Sequence, residues 1–447
     1  MNWQLSNFKL VMFFLVIIGM TSLYLGSCTN DDQILPPPGV DGKDLLSIKT
    51  TAAPTIDGVV DAAWANAPKL NVTPTVPEPG NNLFAGYGDE KYNATMRSMY
   101  DDQYVYFLAE WGDATKSVIV APWYFNPSSK RWTQEPTART YDANGALSRN
   151  GWGEDKIAML WNIDHSTVGF EEKTCYASCH IFTPYTDYST TPEVYKSNAS
   201  SGNHYTNGAN EKIDMWWGYM SRGIGLFHQM DDNYQDWAGG PAVTNLTGGN
   251  ANGRHQDDVV VSGNSTTWPY RPNYTAAVGG PINNRQSLKL DGGTGSAVNV
   301  PWWVIPGSTN SEYILVSDTL PGGSARKITD VSSIGILTLS DGSTIDPTGN
   351  TEYQRTGDPI YGGVGAKCFP SYLGDPYVNG RADIPAAAVY TGTGWVVEYK
   401  RLLKTGDTLK QDVDFSSLED QPFGLAIFDQ SNYQHAIKPN LVLKFKN

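Results

Sequence analysis

The sequence predicts an all-β protein, an antiparallel β-sandwich with long loops and few short helices. Three observations carry this expectation. Short alternating or apolar runs recur along the chain, separated by Gly, Asp, Asn and Pro clusters. Gly (45) and Pro (27) make up about one residue in six, a density of turn formers that short strands require. Few long segments repeat with the period of an amphipathic helix. The aromatic content of 12%, with 14 Trp and 25 Tyr, belongs to a chain that folds around a core.

At the N-terminus, Lys9 precedes an uncharged, mostly apolar stretch from Leu10 to Gly26, and the next charge is Asp31. A basic residue ahead of a short apolar core is the form of a secretory signal. The stretch ends in Leu25-Gly26-Ser27-Cys28, which resembles the lipobox of bacterial lipoproteins. Small residues there admit the chain to a peptidase cleft, and the Cys28 thiol would carry a diacylglycerol. An uncleaved transmembrane anchor is the alternative, since roughly twenty apolar residues span a bilayer. Residues 1–27 are therefore expected to be a signal peptide. Residues 28–46 follow as an acidic, Pro-rich tether containing Asp31-Asp32 and Pro36-Pro37-Pro38-Gly39. The remainder would fold outside the cytoplasm, lipid-anchored at the periplasmic face or at the outer-membrane or cell surface.

Residues 47–447 read as a single domain. Gln103–Trp111 follows the turn residues Asp101-Asp102 and reads as a strand, as do Lys156–Trp161, Gly394–Tyr399 and Leu441–Phe445. From about 240 to 300 the composition shifts to Gly, Asn, Thr and Ser, which predicts a loop-rich insertion rather than a second domain. The 32 basic residues are outnumbered by 46 acidic ones, for a net charge of −14. A surface with excess acid repels phosphates, so nucleic acid is not an expected partner.

Four cysteines are too few for a disulfide framework in a chain of this length. Lys173-Thr174-Cys175-Tyr176-Ala177-Ser178-Cys179-His180 gathers two of them, with a histidine directly after the second. Covalent haem attachment needs this set: two thiols add across the haem vinyl groups, and the adjacent imidazole lies under the iron. The spacing is C-x-x-x-C-H, one residue longer than usual, so the intervening loop must bulge. A Cys175–Cys179 disulfide, or a zinc site using these thiols with His180 and His204, would use the same residues. Met159, Met220 and His228 are candidates for a sixth iron ligand. Cys368 has no obvious partner and reads as a buried thiol. His435 lies in a turn-like segment and reads as a surface or hydrogen-bonded histidine. No G-x-S-x-G, H-E-x-x-H or phosphate-cradling glycine loop is present, so nothing points to a hydrolase or a nucleotide enzyme.

Further segments carry a family resemblance. Thr55-Ile56-Asp57-Gly58-Val59-Val60-Asp61-Ala62-Ala63-Trp64 resembles the opening of a sandwich superfamily that includes family-nine carbohydrate-binding modules, DOMON-like domains and the haem-binding subunits of ethylbenzene dehydrogenase-like molybdenum enzymes. Trp111-Gly112-Asp113, Glu154-Asp155-Lys156, Asp214-Met215-Trp216, Gly380–Ile384, Trp395–Asp407 and Phe423–Asp429 resemble the haem-binding branch. The resemblance implies one haem on a β-sandwich. The family's b-type members use Met and Lys ligands, the Lys in a "WHWK"-like segment. Here that segment reads Trp216-Trp217-Gly218-Tyr219, without the Lys, which shifts the weight to His180. The expectation is thus a monohaem c-type cytochrome, with haem c on Cys175 and Cys179 and His180 as the proximal ligand. It would be an electron carrier rather than an enzyme. Its redox partner protein would be a molybdenum enzyme or a multihaem cytochrome. The alternative is a haem-free carbohydrate-binding lipoprotein on the same sandwich.

Overall fold

Period-2 patterning and turn chemistry build twelve strands into one curled sheet. They are β1 (Asp44–Lys49), β2 (Leu70–Val72), β3 (Ala94–Tyr100), β4 (Tyr104–Gly112), β5 (Lys156–Asn162) and β6 (Ile213–Tyr219), followed by β7 (Asp231–Gln235), β8 (Arg254–Gln256), β9 (Ala386–Tyr390), β10 (Gly394–Leu402), β11 (Gln421–Phe428) and β12 (Ala436–Lys446). This computed structural model describes residues 42–77, 87, 90–142, 147–149, 151–177, 185–187, 194–196, 206, 210–236, 254–258, 279–308, 312–349, 353, 368–432 and 434–446. The strand order is β8-β7-β6-β5-β11-β12-β1-β3-β4-β10-β9, with β2 beside β3. All four strands expected from the sequence form, and Leu441–Phe445 extends back to Ala436. The pairings are antiparallel except those of β1, which runs parallel to both β12 and β3.

The sheet folds over so that β4 and β10 face β5 and β6. Phe107 on β4 packs 5.9 Å from both Trp161 on β5 and Trp216 on β6, and Tyr399 on β10 lies 6.4 Å from Trp216. These rings, with Phe415 and Phe423, fill the main core. The end strand β9 also reaches β7, the second strand from the other end of the sheet. Met230 N donates to Ile384 O at 3.0 Å and Ala386 N to His228 O at 2.9 Å, so the entries to β7 and β9 pair.

The central strands are buried on both faces, which is why they read as nearly continuous apolar runs. On β4, Val105, Phe107, Ala109 and Trp111 enter the main core, while Tyr106 and Leu108 join a separate cluster around Trp64. Trp64 sits in a 3-10 turn, Ala62–Asn66, whose free Ala63 N–H is capped by the Asp61 side chain. Its indole Nε1 donates to Glu398 Oε1 at 2.6 Å, and Gly58 N donates to Glu398 Oε2 at 2.8 Å. Gly58 has φ +82, and a Cβ there would meet Val389 Cγ2 at 2.8 Å, so this close turn requires glycine. Two segments with a family resemblance, residues 55–64 and 395–407, therefore meet at one buried carboxylate. Trp64→Phe removes the N–H from Glu398 and leaves a cavity where the larger indole packed, and is expected to cost about 2–4 kcal/mol in urea unfolding. A neutral result would show that water replaces the indole there.

A second core lies outside this sheet. The hairpin Trp123–Asn126 and Arg131–Gln134 packs Trp123, Phe125 and Trp132 against Val304, Ile328 and Leu337. Of the stretch expected to be loop-rich, the described part includes strands at Arg254–Gln256, Gln286–Lys289 and Ala297–Val300. Leu290 and Val300 enter the second core and Leu288 and Val298 pack against it, a sparse pattern among Gly and Asn residues that composition alone hides. Among the described residues the α-helices are single turns, Phe170–Lys173, Ile224–Phe227 and Leu290–Gly293. No helix among them is long and apolar enough to cross a membrane. Residues 1–41, with the expected signal and Cys28, lie outside the described part.

Candidate functional site

The segment Phe170–Ala177 crosses the outer face of β5, β6, β11 and β12, on the side away from the main core. Its first turn anchors through Phe170, which is fully buried. Thr174 then breaks the helix at φ 51. Its Oγ1 accepts from Asn440 N at 2.7 Å and donates to Asn440 Oδ1 at 3.0 Å, which ties the turn to β12. Asn440 itself is left-handed, at φ 60, a conformation that Asn tolerates better than most residues.

This anchoring presses Cys175 onto the sheet. Cys175 is buried in a cluster with Leu160, Phe170, Ile213, Met215 and Ile437. Gly424 on β11 leaves the room: a Cβ there would lie 2.8 Å from Thr174 Cγ2 and 3.9 Å from Cys175 Cβ. The register of β11 against β12 slips between Phe423 and Leu425, so Gly424 also sits at a bulge.

Beside Cys175 lies a small cleft, with room for about 20 Å³, whose wall is almost wholly apolar. Ala158, Leu160, Met215, Trp217 and Phe428 line it, and His435 stands in its wall. The His435 ring stacks on Phe428, with centroids 4.4 Å apart and planes at 22°. Lys156 Nζ lies 4.4 Å from the same Phe428 ring and donates to Asn432 O at 2.9 Å. Burial pushes the Tyr176 hydroxyl above its usual range, and the neighbouring Cys175 adds to the rise. Thiol, thioether and imidazole thus stand around one apolar wall.

The other residues singled out in the sequence are distributed differently. Cys179 and His180 lie outside the described residues, as does His204. Met159 is on β5 but on the opposite face from Cys175, within the main core, where its sulfur accepts from Tyr399 Oη at 2.8 Å. Met220 also belongs to the main core. His228 is exposed, at φ 55 after a single helical turn. Cys368 is half-buried, next to Phe369, which bridges Trp123.

Met215 and His435 are the site residues that sequence reasoning passed over. Met215 stood in the Asp214-Met215-Trp216 segment, but only pairing with β5 shows which face of β6 looks outward. His435 enters the wall because β11 and β12 are joined by a short turn that brings it over Phe428.

No curated protein matches the chain. Among solved structures, a family 9 carbohydrate-binding module from Caldicellulosiruptor kristjanssonii, in complexes with cellotriose and with glucose, is aligned at 10% and 9% identity. The alignments cover 91% of this chain and 94% and 96% of those chains. The TM-score is 0.26 in both cases. The family model described as ethylbenzene dehydrogenase matches residues 61–331, more than half of the chain and inclusive of β3 to β8, the Cys175 segment and Met215. The chain belongs to the ethylbenzene dehydrogenase family.

Proposed function

We propose that this member of the family is a lipid-anchored, extracytoplasmic monohaem cytochrome of the c type. Cys28 carries the lipid, Cys175 and Cys179 hold the porphyrin, and His180 is the proximal ligand. The observation that carries the reading is the placement of Cys175. Its segment is fastened to the outer face of the sheet at the edge of an apolar concavity that also presents Met215 and His435. A c-type haem, when bound, supplies a one-electron couple. The chain supplies orientation through the Thr174–Asn440 tie and excludes water with Leu160, Trp217 and Phe428. Met215, which shares the Cys175 cluster, supports a thioether as sixth ligand. Met159 and Met220 are committed to the core.

Acid–acetone-extracted protein is expected to keep a pyridine haemochrome band, and the peptide spanning 175–180 to gain the mass of haem. Cys175→Ala with Cys179→Ala removes both signatures. Met215→Ala keeps the covalent haem and lowers the reduction potential, since thioether ligation raises it. A colourless protein, or haem lost wholly on extraction from the native chain, sinks the c-type reading. The redox partner is a protein, a molybdenum enzyme or a multihaem cytochrome. With residues 1–27 removed the chain stands at −15, so a partner with a basic face would be steered toward it.

A further inference from the structure

We propose that Asp113, Asp155 and Asp429 form a calcium site that clasps the two halves of the sandwich at one end. Asp113 follows β4, Asp155 precedes β5 and Asp429 follows β11, so the three arrive from both halves. Each offers a carboxylate oxygen, and these oxygens lie within 4.8 Å of one another. Asp155 is fully buried and Asp113 only 5% exposed.

The second observation is a pair of orphaned acceptors. Asp113 Oδ2 and Asp429 Oδ1 are buried, and neither accepts a hydrogen bond from a described residue. Such acceptors are costly unless something fills them. The remaining oxygens are held in place. Asp113 Oδ1 accepts from Thr115 N at 2.9 Å, while Asp155 accepts from Ser117 N at 2.7 Å, Trp395 Nε1 at 3.0 Å and Gln430 N at 2.9 Å. Asp429 Oδ2 accepts from Tyr92 Oη at 3.2 Å and has Arg139 Nη2 at 3.5 Å. Arg139 also pairs with Glu90 at 3.1 Å, so its guanidinium is shared between Glu90 and Asp429. Tyr390 Oη is spent on the Asp113 carbonyl, at 3.1 Å.

Three like charges this close and this buried repel one another unless a proton or a cation joins them. The donors are all oxygen, from irregular loop ends, and Ca²⁺ accepts such a set where Mg²⁺ demands near-octahedral order. A second acidic group, Asp214, Asp232 and Asp412, is of a different kind. There the Arg401 guanidinium already lies between the carboxylates and takes the cation's place. Because β5 and β11 also line the concavity beside Cys175, a cation at Asp155 and Asp429 would brace that wall.

The test uses the full chain stripped with EGTA and titrated with CaCl₂ by calorimetry and thermal unfolding, and with Tb³⁺ by luminescence. The Trp395 indole, bonded to Asp155, is placed to sensitise Tb³⁺. One Ca²⁺ per chain, a Tm that climbs with free Ca²⁺, and Trp-excited Tb³⁺ emission are expected. Asp113→Asn and the more exposed Asp429→Asn should each weaken Ca²⁺ binding by at least about tenfold, since affinity follows ligand charge. The proposal is overturned by a native chain whose Tm is the same in EGTA and in millimolar Ca²⁺, or by Ca²⁺ binding that both variants retain in full.

Discussion

Arg401→Met is expected to destabilise the protein by about 3–5 kcal/mol, because it leaves several buried carboxylates without their cation. Arg401 is on β10 and fully buried. Its Nη1 lies 2.7 Å from Asp214 Oδ2 and 3.3 Å from Asp232 Oδ2, its Nη2 2.5 Å from Asp412 Oδ1, and its Nε 3.5 Å from Asp383 Oδ1. These partners come from β6, β7 and the loops around β9 and β11, so one side chain joins four parts of the chain. The guanidinium also lies 5.2 Å from the Trp216 ring, against the main core. Methionine fills a similar volume, so lost packing is a minor part of the cost. Urea unfolding at pH 7 measures the change, and a loss below about 1 kcal/mol would mean that protons already neutralise the acids.

The same carboxylates are expected to make the protein more stable near pH 5 than near pH 8. Burial pushes Asp214 from 3.8 up to about 7, against the pull of Arg401, with Asp412 adding to the rise. Burial raises Asp232, Asp257 and Asp383 as well. For a group whose folded pKa exceeds its unfolded value, the native state binds more protons, and stability is lost as pH climbs between the two. For Asp214 that window runs from about 4 to about 7 and amounts to about 4 kcal/mol at an equivalent of 1.36 kcal/mol per unit. Asp412 works in the opposite sense. Burial opposes its ionisation, but Arg401, Asp257 and Thr405 hold it below its usual range, so its contribution fades as pH falls through that lowered value. The raised groups outnumber it. Urea midpoints that rise from pH 5 to pH 8 would contradict this balance. In Asp214→Asn the slope should flatten.

Much of the fold was legible because strands in a sandwich carry local signals. Tyr104–Gly112, Lys156–Asn162 and Gly394–Leu402 announce themselves by β-branched and aromatic residues bounded by turn formers. Their near-total burial also hid something. In Lys156–Asn162 every residue is buried, so alternation could not tell Met159, in the core, from Leu160, on the face of Cys175. The same ambiguity concealed Met215. The parallel pairing of β1 was equally unreadable, since Asp44–Lys49 meets β12 across nearly the whole length of the chain. Single-residue signals fared as unevenly. Gly58 and Trp64 stood out in the sequence, but their common partner Glu398 lies 334 residues beyond Trp64.

Local chemistry in the sequence by itself determined the strand-rich class, the Cys175-Cys179-His180 grouping and the segments by which the family is recognised. Only the tertiary structure decided which face Cys175 and the strand residues around it occupy. Strand geometry alternates sides at every residue, and a strand covered on both sides carries no local mark of which side holds the core. The face comes from pairing across the sheet: Trp216 opposite Met159 turns both toward Tyr399 and Phe107, and thereby turns Met215 outward to Cys175.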